Sequence, residues 1–312
     1  MPHSKTARGK HPKWAFARII SLISALGSPS LADDSAATPS ATPTVQDKWQ
    51  FTLLNPTPPG QLRDMDTDRP NITNTPHTID AGHLQIETGL IDYSYDRSRS
   101  SGATYRYDDF AFATSNFRMG ILNNLELNAV IDPYEIERTR DNASNTTEYS
   151  RGFGDTTIGA KLNLWGNDGG DAAWQSGLAI QPQFKFPTAS DGLGNGHFEF
   201  SIALPFLVNL PAGFHLGLQP GGSLQRNTQN DGNAAGMQNS ISIDRVLLGN
   251  LDVYFEYASD VTTQKHTQPV QTIDIGGTYP VSNNIVLDAG VALGLNNSTN
   301  DIEVLAGISV RF

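Results

Sequence analysis

The sequence predicts an all-β protein, a transmembrane antiparallel up-and-down β-barrel of about twelve strands. Three observations lead there. Long stretches alternate apolar with polar residues at period two, short and long connections alternate along the chain, and the last strand runs to an aromatic C-terminal residue, Phe312. A barrel whose strands face lipid on one side and a polar lumen on the other has this signature, and its mean hydropathy stays negative, as it is here at −0.34. After residue 32 there is no run of about 18 apolar residues that would make a transmembrane helix.

The first thirty residues read differently from the rest. Lys5, Arg8, Lys10, Lys13 and Arg18 precede any acid, an apolar stretch runs from Ile19 to Leu26, and Ser30-Leu31-Ala32 follows. Basic start, apolar core and small-x-small end describe a secretory signal peptide. Residues 1–32 are therefore expected to be removed by cleavage after Ala32. Residues 33–81 are expected to form an irregular leader, either a periplasmic extension or a partial plug in the barrel mouth. Its Ser/Thr/Ala/Pro tract has nothing to bury, and Pro56, Pro58, Pro59, Pro70 and Pro76 interrupt any long element. The barrel is expected over 82–312.

Charge and composition exclude several function classes. The chain has 21 basic and 32 acidic residues, and without the five basic residues of the expected signal peptide 16 remain against 32. So acidic a chain is not a nucleic-acid binder, which needs a basic face for phosphates. With 0 cysteines there is neither a disulfide framework nor a thiolate metal site.

The strands justify themselves in turn. Trp174, Leu178, Ile180, Phe184 and Phe186 share one parity, against Gln175, Gln181, Gln183 and Lys185. Phe198, Phe200, Ile202, Leu204, Phe206, Val208 and Leu210 continue the alternation far beyond the roughly 5–6 residues of a usual soluble strand. Leu251–Tyr257, Ile285–Leu295 and Ile302–Phe312 repeat the pattern. Short turns are expected at Ile121–Asn124, Gly166–Asp171, Pro211–Gly213, Gly249–Asn250 and Pro280–Asn284. Long loops are expected at Asp96–Gly102, Asp141–Ser150, Thr188–Gly196, Asn227–Gly236, Asp260–Gln268 and Asn296–Asn300. Five turns and six loops join twelve strands and leave both chain ends on the periplasmic side. Three windows break the regular alternation. Apolar parity flips around Gly89, which predicts a bulge. Both parities carry aromatics in Tyr105–Met119, and alternation is weak in Met237–Leu248.

Several motifs resemble a family of outer-membrane transporters labelled "putative meta-pathway of phenol degradation" proteins. They are Thr67-Asp68-Arg69-Pro70-Asn71, Gly82-His83-Leu84-Gln85-Ile86-Glu87-Thr88-Gly89, Arg118-Met119-Gly120-Ile121 with Leu125-Glu126-Leu127, Gly152–Lys161, Pro187-Thr188, Leu287–Gly290 and Gly307–Phe312. The resemblance runs from about Asp66 to the end. It implies an outer-membrane barrel of a Gram-negative bacterium that passes small, often aromatic or hydrophobic, molecules. The alternative is a closed structural or surface-interaction barrel. Phe312 also looks like the signal read by the barrel-assembly machinery, so outer-membrane lipid, that machinery and a small solute are the expected partners.

No catalytic constellation is found. Residues two beyond His77, His83, His197, His215 and His266 are Ile79, Gln85, Glu199, Gly217 and Gln268, so no His–Ser pair shares a strand face, and no G-x-S-x-G elbow occurs. Asp64, Asp66 and Asp68 alternate, but a calcium loop would need Gly and Glu where Arg69 and Thr75 stand. The expectation is a non-enzyme with neither cofactor nor metal. The polar parity of the strands supplies the lumen-lining candidates Glu126, Lys161, Lys185, Glu199, Asp252, Glu256, Asp274, Asp288, Glu303 and Arg311. Charges cannot be stranded in a dry interior without partners. They imply either a narrow, hydrated, mildly cation-preferring lumen or one closed by paired charges and the leader. Asp68 and Arg69 are expected to form a local ion pair that fixes the leader against the barrel, or else a solvated charge run.

Overall fold

The computed structural model describes residues 48–312 apart from 101–102, 171, 228–231 and 265–266. The expected signal peptide, its cleavage after Ala32 and the start of the leader lie outside the described residues. Sixteen strand segments follow in order: β1 (Leu84–Ser100), β2 (Ala103–Phe112), β3 (Thr114–Leu122), β4 (Leu125–Ile131), β5 (Tyr134–Asp141), β6 (Thr146–Gly152), β7 (Thr156–Trp165), β8 (Ser176–Phe186), β9 (Glu199–Ala203), β10 (Phe206–Leu210), β11 (Phe214–Arg226), β12 (Asn233–Leu248), β13 (Leu251–Thr262), β14 (Val270–Ser282), β15 (Ile285–Gly294) and β16 (Ile302–Arg311). The pairs β2/β3, β4/β5, β6/β7 and β9/β10 each continue one strand across a local break, so the segments make twelve antiparallel strands. Pairing of β16 with β1 closes the sheet into a barrel. None of the described helices is long and apolar enough to cross a membrane.

Each irregular window has a structural cause. The register of β1 against β16 shifts between Gly89 and Ile91. At the same height the neighbouring strand takes its own extra residue at Ala113, held at φ 58° between β2 and β3. Above it Phe110 and Phe112 face outward; below it Phe117 and Met119 do. That one-residue insertion is why both parities of Tyr105–Met119 carry aromatics. In β12, Ile241 and Ile243 face outward, and a second register shift between Val246 and Leu248 disturbs the periplasmic end. The alternation of 198–210 is one strand as expected, but Pro205 has no N–H for the ladder and divides it into β9 and β10.

Several boundaries differ from expectation: Trp174 lies in the turn before β8, β12 begins at Asn233 and β13 runs to Thr262, and two loops differ most. The ladder of β1 with β2 continues to Ser100 and Ala103, and that of β5 with β6 to Asp141 and Thr146, so 96–102 and 141–150 are mostly strand. Above the lipid both faces of a sheet are wetted. Hydrophobic alternation then fades although pairing persists, and the sequence pattern underestimates the strands there.

The barrel has almost no apolar core of its own. Tyr254 and Leu305 form its one buried hydrophobic cluster among the described residues, while large apolar side chains such as Leu127, Phe255, Ile275 and Leu287 are exposed on the outside. The sheet is inverted relative to a soluble sandwich, with its apolar face toward the solvent that is lipid.

Candidate functional site: the barrel interior and its N-terminal segment

Residues 56–83 enter the periplasmic half of the barrel and bond to nearly every strand around it. The segment is irregular because proline and its short polar residues leave it no ladder of its own, so its backbone groups must find partners on the wall. Glu256 of β13 takes the N–H groups of Ile72 and Thr73 at 2.8 and 2.7 Å and the Thr73 hydroxyl at 2.6 Å. Gln219 of β11 accepts from the Asn74 N–H at 2.9 Å and donates to the Ile72 carbonyl at 2.9 Å. The Asn74 side chain donates to Gln181 of β8 at 2.9 Å. Glu126 of β4 accepts the Ile79 N–H at 2.8 Å, Asn163 of β7 donates to the Pro76 carbonyl at 2.9 Å, and Arg311 of β16 donates to the Arg63 carbonyl at 2.7 Å.

Two ion-pair centres hold this segment. In the first, Arg118 of β3 is fully buried and donates to Glu126 at 2.8 and 3.0 Å, to Glu87 at 2.8 Å and to the His77 carbonyl at 3.1 Å. Asp68 completes it, 2.5 Å from Lys161 Nζ and 3.5 Å from Arg118. In the second, Arg69 donates to Asp288 of β15 at 3.0 and 3.2 Å and lies 3.9 Å from Asp92 of β1. Burial disfavours the Arg69 charge, but Asp288 and Asp92 outweigh it and hold the guanidinium protonated. Asp68 and Arg69 are thus not paired with each other as expected; each reaches across the lumen to a different side of the wall. Glycine makes the second centre fit. Gly89 and Gly307 face each other across β1 and β16, and a Cβ on either would come within 2.9 or 2.6 Å of the Arg69 guanidinium.

The ten candidates of the polar parity sort into distinct places. Glu126, Lys161, Glu256, Asp288 and Arg311 contact the N-terminal segment or the residues that hold it, and Asp274 lies buried opposite Glu256. Lys185 and Glu199 pair at 3.0 Å near the extracellular rim, joined by Asp155 at 2.9 Å from Lys185. Glu303 accepts from Asn300 at 3.2 Å in the last loop. Asp252 stands beside Asp244, which lies 2.7 Å from His215 Nδ1. The three residues hold metal-type ligand atoms within 4.8 Å of one another, and His215 and Asp244 share a hydrogen bond.

Arg118 and Glu87, both essential to the first centre, were not singled out from the sequence. Arg118 sits in the window where the Ala113 insertion blurs the faces, and Glu87 lies just before the Gly89 parity flip. The signal that could have found Arg118 was local: it stands between the outward Phe117 and Met119. In the segment itself, burial pushes the Asp66 carboxyl up, but hydrogen bonds from His77 and Thr75 and the charge of His77 outweigh it and hold the group at about 2.

The comparisons with known proteins agree with this architecture. A structure described as the COG4313 outer membrane channel from Pseudomonas putida F1 is similar over 82% of this chain and 100% of its own, with a TM-score of 0.55 at 10% identity. The translocator domain of the autotransporter NalP from Neisseria meningitidis matches 74% of this chain and 88% of its own at 10% identity, with a TM-score of 0.45 that carries no argument. A comparison with curated proteins found no match. The family model described as "Putative MetA-pathway of phenol degradation" matches residues 67–312. The chain belongs to that family, and it shares the barrel fold of the channel structure.

Proposed function

We propose that this protein passively conducts small molecules across the outer membrane, through a lumen whose periplasmic half is gated by residues 56–83, with no covalent step and no cofactor. One observation carries the reading: ion pairs and hydrogen bonds to a polar wall predominate among the contacts that hold the segment, beside the buried Pro70, Pro76, Ile79 and Ala81. Interiors packed like organic crystals do not open reversibly, whereas polar contacts exchange with water, so that a direct bond adds about 0.5–1.5 kcal/mol net, or about 1.5–3 kcal/mol where one partner is charged. A permanently closed structural barrel would be more stable with an apolar plug, since burying ion pairs is often neutral or unfavourable against hydrophobic replacements. The aromatic or hydrophobic character of the solute follows from family resemblance, and small solutes suit a twelve-strand barrel, narrower than porins of roughly 16–18 strands.

Because the chain has 0 cysteines, the gate can be tethered cleanly. Asn74→Cys with Gln181→Cys, bridged by a short bis-methanethiosulfonate reagent, would join the segment to β8 between positions whose side chains are hydrogen-bonded. In proteoliposome swelling, the oxidised (disulfide-bridged) tether should abolish solute entry and reduction should restore it. Arg69→Gln should raise the rate. Equal swelling in the oxidised, reduced and Arg69→Gln proteins would sink the gate.

A further inference from the structure

The outward face of β1, β2, β5 and β6 changes composition with height. Asp92 reaches Arg69 in the interior, so Tyr93, Tyr95 and Arg97 of the same strand face outward. Register then sets Tyr93, Phe110, Ile136 and Arg151 abreast across four strands. The Tyr93 and Phe110 rings are 4.8 Å apart, and Phe110 stacks on Phe112 at 6.3 Å. Two residues further out come Tyr95, Asp108, Arg138 and Tyr149. Two further again, Arg97, Arg106 and Arg140 stand abreast on three adjacent strands.

Like charges directly opposite each other destabilise a sheet, so three arginines in a row ask for an anion. The protein does not supply it. Asp108 is the one acid on this outward face among the described residues, and it is already engaged by the Tyr93 hydroxyl at 3.0 Å and Arg138 at 3.2 Å. The other acids of these strands above Gly89, Asp92, Asp96, Asp109, Glu135, Glu137, Asp141 and Glu148, fall on the inward parity, behind the sheet. Height matters as well. Four residues separate the Tyr93 row from the Arg97 row, about 13 Å of strand, or about 10 Å along the normal at a tilt of roughly 40°. If the aromatic row marks the edge of the hydrocarbon, the arginine row lies at the outer headgroups, which extend about 5–7 Å beyond that edge, or just above them.

We propose that this face binds a phosphorylated glycolipid headgroup of the outer leaflet, of the lipid A type. Arg97, Arg106 and Arg140 take its phosphates in the planar, two-pronged geometry that guanidinium offers. Arg138 and Tyr149 meet the sugar, and Phe110 and Phe112 lie along the acyl chains. The inference rests on placement in the outer membrane and not on conduction, so a barrel that failed every swelling assay would still bind.

The test is native mass spectrometry of the full-length protein in neutral detergent, titrated with bisphosphorylated lipid A and, in parallel, with its dephosphorylated form. The wild type should retain the phosphorylated lipid and bind the dephosphorylated one at least about tenfold more weakly. The triple variant Arg97→Gln/Arg106→Gln/Arg140→Gln should lose the preference. Arg245→Gln, which removes an outward arginine lying over Phe214 at the periplasmic end, should keep it. Heat-modifiable migration checks folding; if the triple variant fails that check, Arg106→Gln and the two-lipid comparison on the wild type carry the decision. Equal binding of the two lipids, an unchanged preference in a folded variant, or complete displacement by equimolar inorganic pyrophosphate would overturn the assignment.

Discussion

At Gly89 and Gly307 the absence of a side chain is what admits Arg69 to the wall. Gly89→Ala would press on the Arg69 and Asp92 side chains, a strain of about 1–3 kcal/mol of the kind seen on overpacking. Arg69→Ala should relieve the part that falls on the guanidinium and free Asp92 to move aside, so the pair should be non-additive. Midpoints of heat-modifiable migration for the two single variants and the double variant measure this coupling, and simple additivity would contradict the contact. Asp66 makes a second prediction. Its carboxyl titrates at about 2 in the folded protein, against roughly 3.9 unfolded. A depressed carboxyl contributes stability that is complete above the unfolded value and lost as pH falls through the folded one. Protection factors of the 72–79 amides, taken relative to the intrinsic exchange rate at each pH, should therefore fall between about pH 4 and pH 2, and in Asp66→Asn they should be lower already at pH 5 with a smaller further change. Identical profiles for the two proteins would remove Asp66 from the gate.

The strands were legible where lipid bounds one side and water the other. In Ile302–Arg311 the two environments differ as much as they can, and apolar parity alone assigned both the strand and its faces. Legibility failed wherever that contrast lapsed. Ala113 shifts the faces by one residue inside a single strand, and the upper parts of β1, β2, β5 and β6 stand above the lipid. Ala113 also carries a backbone cost, since φ 58° disfavours any Cβ. Ala113→Gly should raise stability by about 0.4–1 kcal/mol without altering conduction, read as a higher unfolding midpoint in urea. A loss of stability would mean that the alanine methyl is packed and not strained.

On the scale of the whole barrel, the sheet separates charge between its two surfaces. In β1, β2, β5 and β16 the inward parity carries Asp92, Asp96, Asp109, Glu135, Glu137 and Glu303, while arginines occupy the outside of the first three. A mouth lined by acids raises the local concentration of cations. Reversal potentials across a salt gradient in planar bilayers should show cation preference, larger at low ionic strength where screening is weak. Anion preference would mean that the arginines and lysines holding the N-terminal segment dominate the path, and not the extracellular acids.

By itself the sequence determined the barrel and its strand number. These follow from a period-two contrast that is local, and each strand displays it independently of the others. Only the tertiary structure decided which charges meet. Asp68 lies 93 positions from Lys161, and Arg69 lies 219 from Asp288. No local pattern encodes a pairing across a lumen. Closure of the sheet brings those walls together, and an irregular segment without hydrogen-bond partners of its own then settles where the wall can satisfy it.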